Sequence, residues 1–201
     1  VSDKERKIIV DRLTKHGVMI MENSTIEEVG DNFVKLKNSQ KIKGDLVIWT
    51  AGVKPNDLIS TIKGLPLSEK GKVLVENGLF IKGFQNVFAV GDLAEFIDPI
   101  THKSIPAMAF VAYEEGNIVA SNIVNLIRNR KPKVYKPSYN VWIAPVGGKF
   151  AVAHVGTITI SGFWGWILRS IVDLRYMIQI LPFFKALSVF WDEMTLFTKN
   201  D

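Results

Sequence analysis

The run Asn86-Val87-Phe88-Ala89-Val90-Gly91-Asp92 constrains this chain more than any other stretch. Four apolar residues of strand type end at once in a Gly-Asp pair, and a loop from Leu93 to Ser104 follows. An unbroken apolar run of this kind predicts a strand buried on both faces of a parallel sheet, which places the chain in the α/β class. Ligands in open α/β sheets collect at the carboxyl ends of such strands. Gly91 lets backbone come close to a ligand, and Asp92 sets an acceptor-only carboxylate where sugar-type hydroxyls can donate. By itself the pair fits a β-turn with Asp as a local cap better than a site.

A second run of the same kind makes the turn reading harder to keep. Asp45-Leu46-Val47-Ile48-Trp49 predicts another buried strand, and it feeds the loop Thr50-Ala51-Gly52-Val53-Lys54-Pro55-Asn56. Upstream, Ser2 and Glu5 form a capping box that starts a helix over residues 3–16, with Gly17 at its end. Val18 to Met21 reads as a short strand. Thr25 to Val29 and Phe33 to Lys37 flank Gly30-Asp31-Asn32 as a hairpin, and Lys41 to Lys43 adds a third strand. Asp57 precedes a short helix over 58–62 that Gly64 and Pro66 close. Strands are expected at 72–75 and 79–81, around Asn77-Gly78. Pro106-Ala107 opens a long helix from about Met108 to Arg128, with Glu114 and Glu115 in its middle. Those two glutamates read either as a solvated face or as working carboxylates.

The last third changes character. A basic linker over 129–137 leads to strands at 141–144, 150–155 and 157–160, with Gly147-Gly148 as a hairpin turn. From Gly162 to Phe197 the chain is rich in Trp, Phe, Ile and Leu. Charges at Arg169, Asp173 and Arg175, and the break at Pro182, argue against a membrane span. Two amphipathic helices in the membrane interface fit better, with Trp164, Trp166 and Trp191 at headgroup depth and Phe197 in the second stripe. The competing reading is a helical pair buried on the sheet or in a dimer.

Composition removes several function classes. The formal charge of +5 is scattered, with no basic run interleaved with aromatics, so nucleic acid is not expected as a partner. Cysteine is absent, which excludes disulfides, thiolate metal sites and a redox-active Cys pair within these residues. His16, His102 and His154 lie far apart, and no metal site is expected.

Taken in order, these motifs resemble the flavoprotein pyridine-nucleotide reductases. Residues 45–56 are similar to the strand and loop that leave their NAD domain, and Asn86 to Asp92 to their later FAD-binding strand. The segment Pro106 to Gly116 and the aromatic tail look like the flavin-passing helix and membrane anchor of type II NADH:quinone dehydrogenases. The resemblance implies FAD as cofactor, NADH as substrate and quinone as acceptor. It implies that Gly91 and Asp92 contact FAD, that Ala109 and the neighbouring amides lie near the flavin, and that Gly52 belongs to the cofactor-binding set. Glu114 and Glu115 stand where many relatives have Gln-Gln beside the quinone pocket, and Phe110 where a Gln is common. Carboxylates there imply a proton relay to reduced quinone.

The implied fold is part of a two-dinucleotide-domain flavoprotein. Residues 1–56 correspond to the second half of the NAD(H) domain and 57–130 to the returning part of the FAD domain. Residues 131–201 correspond to the antiparallel sheet and interface helices. No G-x-G-x-x-G fingerprint occurs, and Gly162-x-x-Gly165 is not one, so the chain is expected to be the C-terminal half of a longer enzyme, inactive and weak in FAD and NADH binding by itself. The expected setting is peripheral, at the cytoplasmic face of a membrane engaged through 162–201, as a homodimer. Two alternatives stand beside this. One is a non-enzymatic, membrane-associated or dimerising module. The other is a sulfide:quinone oxidoreductase, which needs the Cys pair this chain lacks. The tail also lacks the His with a nearby Glu expected of a disulfide reductase.

Overall fold

A computed structural model describes residues 1–199, with side chains to Leu196, so Phe197 lies outside the described side chains. In chain order the elements begin with α1 (Asp3–Lys15), β1 (Ile26–Val29), β2 (Phe33–Leu36), β3 (Lys41–Lys43), α2 (Leu58–Thr61), β4 (Val73–Leu74) and β5 (Ala94–Glu95). They continue with α3 (Ala109–Ile127), β6 (Val141–Pro145), β7 (Ala151–Val155), β8 (Ile158–Gly162), α4 (Phe163–Ile180) and α5 (Phe183–Lys199). They divide into two units, residues 1–48 with 140–201, and residues 49–139.

In the first unit local signals decide most of the structure. The capping box closes both ways: Ser2 Oγ accepts from Glu5 N–H at 3.4 Å, and Glu5 Oε2 accepts from Ser2 N–H at 2.8 Å. The strands β1, β2 and β3 form an antiparallel meander, and β6, β7 and β8 form another. In the second meander β7 is central, and Ala151, Val152 and Ala153 are fully buried where α4 packs across. Small residues on both sides let helix and sheet come together. A Cβ at Gly165 would lie 2.3 Å from Ala151 O and 3.1 Å from Ile160 O. Pro182 separates α4 from α5, and Arg169 joins them, pairing with Asp173 at 3.1 Å and Glu193 at 3.4 Å.

Several expectations are corrected here. Val18 to Met21 forms no strand. Nor does Asp45 to Trp49, whose Ile48 and Trp49 are 74% and 60% exposed. A buried parallel strand needs hydrogen-bonded neighbours. The three-stranded meander offers none to these residues, so their apolar side chains stay in solvent. Trp166, expected at headgroup depth, is 4% exposed. Two residues along α4, about 200° around the helix, set Trp166 on the sheet-facing side, whereas Trp164 points outward.

In the second unit β4 and β5 pair in parallel, Val73 with Ala94 and Leu74 with Glu95. Val73, Ile81, Ala89 and Ala94 form one core cluster, and Leu79, Phe96, Ile105, Val111 and Tyr135 another. Helix α3 forms as expected, within a residue at each end. Its buried Asn122 donates to Gly78 O and Lys133 O and accepts from Lys133 N–H at 2.6 Å, so one amide ties the helix to two loops. The doubly buried strand expected at 87–90 is not present. Phe88 makes a single bridge to Phe80, Ala89 is buried, and Val87 and Val90 are exposed. The run is paired on one edge only, through Ile81 N–H to Val87 O and Ala89 N–H to Leu79 O, which leaves half its side chains uncovered.

Candidate functional site

The Gly-Asp pair sits at the end of this half-paired run, in a single 3-10 turn over Gly91–Leu93. Gly91 has φ of +69°, a backbone state that costs a residue with a Cβ, and it lies against the first turn of α3, where a Cβ placed on it would sit 3.5 Å from Ala112 Cβ. Asp92 is exposed. Helix α3 has Met108 as its N-cap, which supplies no side-chain cap, so the first-turn N–H groups beside exposed Ala109 and Phe110 receive no acceptor from it. The Gly-Asp turn and an uncapped helix start therefore form one surface.

Glu115 underlies that surface. It is 2% exposed, and its Oε2 accepts from Gly91 N–H at 2.5 Å. Burial pushes its carboxyl above the usual range; the Gly91 N–H and the Lys72 ammonium pull the other way, and Asp92 adds to the rise. Lys72, Gly91, Asp92, Met108, Ala112 and Glu115 line a cleft of about 10 Å³, room for one water rather than a ligand ring. Glu114 points elsewhere on the helix. It is half-buried, burial raises its carboxyl, and its Oε2 has no hydrogen-bond partner among the described residues. Tyr135 is buried with its hydroxyl unpartnered, and burial together with Glu115 and Glu114 drives its ionisation far upward.

The structure thus brings Gly91, Asp92, Ala109 and Glu115 together. Gly52 stands apart on an exposed loop at φ +86°, with no atom within 4 Å of its missing Cβ. The sequence reading missed Lys72 and Tyr135, and it missed the inward turn of Glu115. A signal for the last was present: Val111, Ile118 and Val119 lie four before, three after and four after Glu115, so all share one helix face.

In the first unit α4 and α5 keep a large apolar surface uncovered. Trp191 is 74% exposed, with Trp164, Phe183 and Phe184 also outward. An open groove of about 550 Å³ between the helices is lined by Leu174, Leu187, Phe190 and Trp191. No helix among the described residues is long and apolar enough to cross a membrane. No cluster of three His, Asp or Glu groups suits a metal among them either.

Comparison with known proteins gives this geometry a setting. The profile of the pyridine nucleotide-disulphide oxidoreductases matches residues 1–116. The type II NADH:quinone oxidoreductase Ndh of Mycobacterium tuberculosis is 29% identical over 83% of this chain and 37% of its own length. The chain spans less than half the length of the curated relatives it matches. Among solved structures, NDH2 of Plasmodium falciparum bound to RYL-552 superposes with a TM-score of 0.79 at 15% identity, over 96% of this chain and 54% of that one. The sulfide:quinone oxidoreductase of Aquifex aeolicus superposes with a TM-score of 0.67 at 18% identity, over 86% and 44%.

Proposed function

Because the chain belongs to the pyridine nucleotide-disulphide oxidoreductase family, we propose that it is the flavin-returning and membrane-facing portion of an FAD-dependent NADH:quinone oxidoreductase. One observation carries the reading: the Gly91–Asp92 turn lies against the uncapped start of α3. The residues fit the cofactor. Asp92 offers an exposed acceptor for ribityl hydroxyls, and the open N–H groups at Ala109 and Phe110 favour negative charge on the ring. The water-sized cleft beneath implies that the cofactor lies across this surface and not within it. FAD supplies the chemistry of taking a hydride from NADH and giving up electrons one or two at a time.

What the chain contributes is orientation, charge and a route for protons. Glu114 is the residue we assign to the quinone side. Its carboxyl, raised by burial, and its unpartnered oxygen suit a group that takes up a proton and passes it on. Helices α4 and α5 lie in the membrane interface through Trp164, Trp191 and the phenylalanines around Pro182, so quinone is met at the lipid surface. The sulfide:quinone alternative shares the fold, but its Cys pair has no counterpart in these residues.

The reading is tested on the full-length gene product. A yellow protein that holds FAD and reduces a soluble quinone analogue with NADH is the expected result. A flavin-free protein rejects the proposal.

A further inference from the structure

The carboxylate of Glu115 does not face outward toward an acceptor. It runs inward to the Gly91 backbone N–H at the head of the Gly-Asp turn, at 2.5 Å, from a side chain that is almost fully buried. We propose that Glu115 is a positioning residue for Asp92: its carboxylate holds the turn through the Gly91 N–H, and proton uptake by Glu115 loosens that hold. The bearing of this on the cofactor rests on the flavin reading above; the hold itself does not.

Three features of the site carry the inference. First, Gly91 is in a left-handed backbone state and Asp92 is exposed, so only Leu93, at the far end of the turn, packs into the core, and the Gly91 end is held by hydrogen bonds. Second, a charged acceptor makes a hydrogen bond about twice as strong as a neutral one, so the grip depends on whether Glu115 is ionised. Third, groups of opposite effect surround Glu115. Lys72, just before β4, favours the carboxylate. Asp92, on the turn, opposes it. Glu114 precedes it on α3, and Tyr135, from the segment after α3, adds a buried hydroxyl nearby. Burial raises the carboxyl above its ordinary value. The cleft beside Gly91 has room for about one water, which provides a path for the proton without opening the core.

This separates the two glutamates by role. Glu114 is the quinone-side candidate. Glu115 acts through Gly91 and sets how firmly Asp92 is presented.

The first experiment uses this chain, labelled with nitrogen-15. The Gly91 amide proton should shift with pH in a single titration whose midpoint lies above that of an ordinary glutamate. Glu115→Gln should abolish that titration and speed Gly91 amide exchange about tenfold, the loss expected when a charged acceptor becomes neutral. Asp92→Asn should leave the titration in place. A Gly91 amide that does not titrate in the unmodified chain overturns the proposal without any variant having to fold. So does a titration that survives Glu115→Gln or vanishes in Asp92→Asn.

The second experiment uses the full-length protein and reads FAD release against pH. Release should rise as Glu115 takes up its proton, and Glu115→Gln should release FAD at one rate across the same range. Unchanged pH dependence in that variant overturns the link to the cofactor. A flavin-free full-length protein would reject the functional reading, and the Gly91 titration would still decide whether Glu115 holds the turn.

Discussion

Glu5 begins as one half of a capping box and ends as the hub of a buried cluster. Its Oε2 accepts from Ser2 N–H, while its Oε1 lies 2.6 Å from His154 Nδ1 and accepts from Thr159 Oγ1 at 2.9 Å. Trp142 stacks on the His154 ring at 5.8 Å. The Ser2 N–H contributes most to holding the Glu5 carboxyl down at about 2, with His154 and Thr159 assisting against burial. A carboxyl depressed in the folded state lends stability that is complete above its ordinary value of 4.5 and fades as pH falls from there to about 2. Denaturant unfolding followed across that window should show stability falling with acid. Glu5→Gln should be less stable at neutral pH and show a shallower fall. At the same scale, Asp92→Ala in the full-length protein should weaken FAD retention by about tenfold, the worth of one hydrogen bond to a charged acceptor. Equilibrium dialysis with FAD measures it, and unchanged affinity would make Asp92 a turn residue alone.

Among the elements, α4 and α3 give opposite answers to the same substitution. Gly165 has sheet backbone 2.3 Å from its missing Cβ, so Gly165→Ala must lift α4 off β7. A loss of about 1–3 kcal/mol is expected in urea unfolding, as for other overpacked contacts. Gly116 is mid-helix in α3 with open space around it, and Gly116→Ala should stabilise by about 1 kcal/mol from helix propensity. The helix pair carries a further test. Trp164→Ala with Trp191→Ala should reduce co-sedimentation with anionic vesicles, while Trp166→Ala should chiefly destabilise the fold, because that ring is buried. Equal vesicle binding by the double variant would remove the interface assignment of α4 and α5. These elements were legible in the sequence wherever a signal and its target are neighbours in the chain. The capping box, Gly147-Gly148 and Pro182 each act within a few residues. Strand status at 18–21, 45–49 and 87–90 was not legible, because a strand exists only when another edge meets it.

At the scale of the molecule the candidate site was half readable. Gly91-Asp92 and the Pro-led helix lie within some 25 residues, so their proximity followed from order along the chain. The inward bond of Glu115 depended on helix phase against a core that only the fold reveals, and Lys72 reaches the same cleft from a distant segment. The uncovered run at 45–49 has one more consequence. It joins high β-propensity, strong hydrophobicity and a single charge at Asp45, with no proline before Pro55. Such a segment, left in solvent, is a template for cross-β stacking between molecules, and Lys43 on one side and Lys54 and Pro55 on the other are its nearest gatekeepers. Concentrated chain should therefore seed thioflavin-positive fibrils after a lag, and Ile48→Lys should lengthen that lag by placing a charge in the stack.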